Sequence, residues 1–198
     1  MGFARYGNYD KHPVKVIEGF EGEAFEGVDD IAGELKRKLG SVKKSKKVLC
    51  FDYYPGVTKK TLRAFAELLS YDVLIDMDTA AKSEAVLESE FKDFITDDRV
   101  FGLMCHKNVD SLYEAEGLNA LKERLESIHA GTVVVIGLGT RLLTRGDINV
   151  YCPITRWEIQ LRYRKGMPNW NHTNYDMPPL EKYKRGFFIG YRMADRYK

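Results

Sequence analysis

Residues 132–136 read TVVVI, an unbroken β-branched run. Such residues fit a pleated strand, and the absence of alternating polar positions leaves no wet face, so this strand must be covered on both sides. The rest of the chain offers suitable partners. Residues 48–51 (VLCF), 73–75 (VLI) and 148–152 (INVYC) are further short apolar runs. Between them lie stretches with helical periodicity: Leu62, Phe65, Ala66, Leu68 and Leu69; then Val86, Leu87, Phe91 and Phe94 within 80–94; then Leu118, Leu121, Leu125 and Ile128 within 113–129; then Trp157, Ile159 and Leu161 within 155–164. A further helix is expected over 27–39, with Asp29 or Asp30 at its start, Ile31, Leu35 and Leu39 on one face, and Gly40 at its end. Strands separated by helices, without hairpin signals, predict an α/β fold with a mainly parallel sheet and right-handed crossovers.

The 198 residues suffice for one α/β domain with a core. At 44% hydrophobic and 30% charged the composition is that of an ordinary globule, and a net charge of +2 gives no reason to expect nucleic acid. The basic run over 36–47 reads as a helix end and a solvated linker. Cys50, Cys105 and Cys152 are odd in number and lie in or beside apolar runs, which predicts buried free thiols and a cytoplasmic protein. No apolar stretch approaches the roughly 20 residues that span a bilayer, and the N-terminus lacks an apolar signal segment.

The stretch most suggestive of chemistry is residues 47–62, KVLCFDYYPGVTKKTL. A strand, a Pro-Gly turn and a helix start follow one another, and unpaired N–H groups at a helix start attract anions. The stretch can be laid on the phosphate loop G-x-x-x-x-G-K-[ST]. With Lys59 as the phosphate lysine, Tyr53 and Thr58 stand where the glycines belong, and Lys60 stands where the Mg²⁺-binding hydroxyl belongs. Pro55, Gly56, Lys59 and Thr61 keep the pattern, and Val57 completes the loop. The plainer reading is a strand-turn-helix connection with solvated lysines.

Phosphoryl transfer also needs metal-holding acids and a group that positions the acceptor. Asp76 and Asp78 end the strand over 73–75 and can hold Mg²⁺ through water, while Asp98 can orient an acceptor hydroxyl. Arg156, Arg162 and Arg164 can clamp phosphates from their helix, although Arg162 and Arg164 point to different faces. An Asp98–Arg99 loop pair is an equally good reading. His12, His106, His129 and His172 show no ligand spacing, so no zinc site is expected. No G-x-S-x-G elbow is present.

The chain divides into an N-terminal arm and helix (1–46), a core (47–166) and an aromatic segment (167–198). The arm can carry a short edge strand. Val100, Phe101, Leu103 and Met104 read as a buried element, and 186–191 as strand-like. The segment over 167–198 is expected to pack on the core or on a partner. Its aromatics can stack a base or a sugar, though beside a core they more often serve packing.

Together, VLCFDYYPGVTKKTL, FITDDRVFG, VVVIGLGTRLL, INVYCPITRWEIQLRYRKG and YKRGFFIGYRMADRYK resemble an N-terminal extension of some bacterial class I mannose-6-phosphate isomerases. That extension is itself similar to uridine kinase and other P-loop nucleoside kinases. The resemblance implies a three-layer P-loop kinase-like fold. It implies that Gly56 and Lys59 match the phosphate loop, Gly137 the glycine after the late strand, and Arg162 and Arg164 the lid-side arginines. It also implies ATP or another nucleotide, or a sugar phosphate, as ligand, and a cupin-type isomerase domain as partner. Thr58 and Lys60 depart from the loop pattern, and Ile136 replaces the acid that often precedes the late glycine; these departures count against Mg²⁺ and transfer. The expectation is therefore a ligand-binding, kinase-like domain with a degenerate loop. The alternatives are a docking module of the isomerase, with exposed apolar surface near Phe187, Phe188 and Tyr191, and an active sugar or nucleoside kinase.

Overall fold

The computed structural model describes residues 13–198. Residues 1–12, part of the expected arm, lie outside the described residues. Residues 13–27 run exposed through turns and contain no strand.

Four parallel strands form one sheet in the order β2-β3-β1-β4: β1 is Lys46–Tyr53, β2 Val73–Asp76, β3 Gly131–Gly137 and β4 Ile148–Cys152. Leu49 of β1 lies opposite Val134 of β3 on one side and Ile148 of β4 on the other. The two central strands are the most apolar, because only they are flanked on both edges and covered on both faces. Val133, Val134, Val135 and Ile136 are fully buried.

Side chains alternate across the sheet, and each face has its own cover. Leu49, Phe51, Val134 and Ile136 pack against α1 (Val28–Ser41) through Ala32, Leu35 and Leu39, and against α2 (Lys59–Glu67) and the turn after it through Ala66 and Leu69. Val48, Cys50, Ile75, Val133 and Val135 pack against Leu125 of α4 (Ala115–Ser127). Two helix layers around a parallel sheet make a three-layer α/β architecture; the periodicity predicts the parallel α/β sheet, and the resemblance implies the three layers. A third apolar cluster sits beyond the carboxyl ends of the strands. Tyr53, Tyr54, Met77 and Leu138 meet α3 (Glu84–Phe91), α5 (Arg156–Arg164) and the C-terminal helical segment there.

Two expectations are corrected. Residues 186–191 are helical. The helix α6 (Pro179–Arg185) continues through a wide turn over Gly186–Gly190 into α7 (Tyr191–Tyr197), and the N–H of Tyr191 donates to the Gly186 carbonyl. Aromatic and β-branched content suits a strand locally, but packing on the strand ends decides the conformation. A Cβ on Gly186 would lie 2.7 Å from the Tyr191 ring, so the missing side chain gives that ring its place. Second, Val100, Phe101, Leu103 and Met104 are exposed, at 45–68%. They lie on an irregular surface segment fixed by backbone bonds from Leu103 N to Phe94 O and from Cys105 N to Phe188 O. Four apolar residues of this run therefore stay outside the core, and Cys105 is the buried one.

Candidate functional site

In open parallel sheets ligands bind beyond the carboxyl ends of the strands. Here that edge carries the turn after β1. Gly56 adopts φ +112°, and a Cβ there would come within 2.6 Å of Ile159 Cγ1. Only glycine lets the chain turn this closely against α5. Thr58 then caps α2, its Oγ1 accepting from Thr61 N at 3.3 Å and lying 2.7 Å from Thr61 Oγ1. The first N–H groups of α2 have no backbone partner within the helix, and that of Thr61 is taken by Thr58 Oγ1.

Lys59 reaches over the strand ends. Its Nζ lies 3.4 Å from Asp78 Oδ2 and 3.5 Å from Asp76 Oδ2. Arg63, one turn further along α2, donates from Nη2 to Asp76 Oδ2 at 2.7 Å, and Asp76 Oδ1 accepts from Asp78 N at 3.0 Å. The Tyr53 hydroxyl donates to Asp78 Oδ2 in a short bond, and Trp170 Nε1 donates to Tyr53 Oη at 2.8 Å. Tyr113 donates to the Leu138 carbonyl at 2.6 Å, and its hydroxyl oxygen stands 3.3 Å from Asp78 Oδ1. Burial pushes the Asp78 carboxyl up from its ordinary range, against the Tyr53 hydrogen bond and the Lys59 charge, which pull it down. The Tyr53 phenol is pushed well up by burial and then by the Asp78 charge.

These groups border a cleft of about 310 Å³ lined by Gly56, Thr58, Lys59, Asp78, Trp170 and Tyr175, among others. Its floor is the β1 turn and its roof is the loop between α5 and α6. From α5, Arg162 donates Nη1 to the Gly56 carbonyl at 2.9 Å and Nε to Glu158 at 2.9 Å. A second crevice of about 440 Å³ opens between the ends of β1 and β4, with Asp52, Tyr54, Arg141, Tyr151 and Lys198 in its wall. Asp52 accepts from Gly139 N and Thr140 N at 3.0 and 3.2 Å, and burial raises its pKa.

The structure thus brings together Gly56, Val57, Thr58, Lys59, Asp76, Asp78 and Arg162. Pro55 is buried in the same turn, and Lys60 and Thr61 are exposed on α2. Other expected residues lie elsewhere. Asp98 is exposed and accepts from Val100 N and Phe101 N at 2.7 and 2.6 Å, closing a surface turn that borders another crevice. Arg164 stacks on Trp157, 5.6 Å from the ring centre, and Arg156 pairs with Asp195 at 2.7 Å. Gly137 serves packing: a Cβ there would lie 2.5 Å from Met77 Cβ. The sequence reading missed Asp52, Arg63 and Tyr113. Arg63 carried a usable signal, since it follows Lys59 by four residues on one helical face.

Asp76 and Asp78 do not fit Mg²⁺ in this arrangement. Each of their four oxygens already faces a donor, a cation or a phenol oxygen, and the Asp78 side chain is 2% exposed. A strongly hydrated cation finds neither free oxygens nor room for its waters. The loop residues Gly56, Val57 and Thr58 and the charged Lys59 border one open cleft.

Among the described residues, no helix is long and apolar enough to cross a membrane. The fold is similar to that of a crystal structure from Silicibacter sp. TM1040 described as a "putative fructose transport system kinase". The TM-score is 0.59 at 11% identity, covering 88% of this chain and 96% of that one. The fold is therefore kinase-like α/β, and at such identity the likeness extends to the fold alone. No curated protein matches the chain in sequence. A family model matches residues 27–198, and the chain belongs to that family, described as Domain of unknown function (DUF8485).

Proposed function

We propose that the chain binds the phosphate of a nucleotide or a phosphorylated sugar at the N-terminus of α2 and does not transfer it. The observation that carries this reading is the convergence of the Gly56 turn, the α2 N-terminus and Lys59 on the cleft beneath Trp170. The kinase-like fold supports it, since the turn after the first strand occupies the ligand edge of the sheet. Transfer is disfavoured because Lys59 and Arg63 are held by Asp76 and Asp78, which leaves neither of these acids free for a metal. In this reading the phosphate draws Lys59 away from its two carboxylates. The Tyr53 hydrogen bond stays with Asp78, and the raised Asp78 pKa eases uptake of a proton as the lysine leaves.

The likeness to the isomerase extension enters here as a source of ligand candidates. As a docking module it called for exposed apolar surface near Phe187, Phe188 and Tyr191; Phe188 and Tyr191 are buried in the chain's own core and Phe187 is half-buried, which favours the ligand-binding reading.

The test is calorimetric titration with ATP, with and without Mg²⁺, and with mannose 6-phosphate and fructose 6-phosphate. Binding of at least one of these, unaffected by Mg²⁺ and lost in Lys59→Ala, is the expected result. Binding that requires Mg²⁺ would restore the kinase reading. Absence of binding up to millimolar ligand would remove the site.

A further inference from the structure

On the other side of the Trp170 loop, three side chains from two elements converge. Glu84 and Glu88 lie one turn apart on α3, and His172 comes from the loop between α5 and α6. One potential ligand atom from each lies within 4.8 Å of the other two. His172 Nδ1 is 2.7 Å from the Trp170 carbonyl. A carbonyl only accepts, so Nδ1 carries the hydrogen, and in the neutral ring the lone pair is at Nε2. Nε2 stands 3.1 Å from Glu88 Oε1, and the imidazole is 5% exposed. Yet Nε2 makes no hydrogen bond to any group of the described residues. A buried ring nitrogen thus faces a carboxylate oxygen without a hydrogen bond of good geometry.

The surroundings orient both carboxylates for a shared cation. Arg185 Nη1 holds Glu88 Oε2 at 2.9 Å, which turns Oε1 towards the imidazole. Thr173 N donates to both Glu84 oxygens, at 3.1 and 3.0 Å, and Thr173 Oγ1 donates to Oε2 at 2.6 Å, which fixes the orientation of that carboxylate. Two carboxylates are offset by one guanidinium, so the cluster keeps room for added positive charge. Outer partners of this kind, including a carbonyl on the far nitrogen of the imidazole, fix metal ligands in orientation.

We propose that Glu84, Glu88 and His172 bind a divalent transition-metal ion of the zinc class, which ties the Trp170 loop to α3. One imidazole nitrogen with two carboxylate oxygens suits zinc, whereas Mg²⁺ and Ca²⁺ prefer oxygen alone. Glu88 is 47% exposed, which gives the ion a path from solvent. The site shares no residue with the phosphate cleft and stands whether or not that cleft binds an anion. Its consequence for the cleft is positional: His172 accompanies Trp170, whose indole hydrogen-bonds Tyr53.

The test uses the full, untagged chain after chelation. Zn²⁺ is titrated calorimetrically, and Co²⁺ is followed by its visible absorbance. One ion per chain is expected, with a change in tryptophan fluorescence on binding. His172→Gln and Glu88→Gln should each weaken Zn²⁺ by at least about tenfold, while the exposed His129→Gln should not. If His172→Gln does not fold by circular dichroism, Glu84→Gln and Glu88→Gln decide on the same criterion. Absence of Zn²⁺ binding up to millimolar concentration overturns the proposal, and so does binding that the ligand variants leave unchanged.

Discussion

At the scale of the residue, the site depends on Gly56. Its φ of +112° is unfavourable for any L side chain, and the nearest atom to an added Cβ is Ile159 Cγ1, close to the α5 backbone, where little can give way. Gly56→Ala is therefore expected to destabilise the chain by about 1–3 kcal/mol. It should also shift the carbonyl that accepts from Arg162. Urea unfolding of the variant against the parent measures the first effect, and weaker phosphate binding the second. Lys59 and Thr58 were legible in the sequence as residues at the start of a helix. The partners of Lys59 were not. Asp76 and Asp78 read as metal acids, because a sequence cannot show that Arg63 and Tyr53 already engage them.

At the scale of the element, the C-terminal segment departs most from its local signals. GFFIGY has strand-like content, yet it completes a helix from Pro179 to Tyr197 with one wide turn in it. The reason lies across the molecule. Tyr191 and Met193 fill the space above Tyr54 and Leu138, at the strand ends where an open sheet would otherwise present apolar surface. Tyr54 and Tyr191 stack with ring centres 5.6 Å apart, and the Tyr191 hydroxyl lies 3.4 Å from that of Tyr163. Tyr191→Ala is expected to cost about 3–5 kcal/mol, the range for removing a fully buried aromatic ring. A two-state denaturant transition with an unchanged m-value would measure it. A loss below about 1 kcal/mol would mean that the segment can detach without disturbing the core.

At the scale of the whole molecule, sheet, helix layers and aromatic cap are covered by one another, and the thiols report on that coverage. Burial pushes Cys50 and Cys152 up to about 12, with the Asp52 charge adding to it. Against an ordinary cysteine this leaves about a thousandfold less thiolate at pH 8. Labelling of both should therefore be slow in the native chain and rise together with global unfolding in urea. Rapid native labelling of Cys50 would show that the central strand opens locally. The sequence by itself determined the order of strands and helices and the parallel sheet. Unbroken β-branched runs and helical periods are local signals, and they reflect burial on two faces or on one. It determined the place of the turn before α2 too, because Pro55 and Gly56 act on their own neighbours. Only the tertiary structure decided which charges meet. Lys59 faces acids from the next strand, Asp98 turns into a surface loop, and His172 finds two glutamates more than 80 residues away. Such pairings depend on how distant segments cross in space, and no spacing along the chain encodes them.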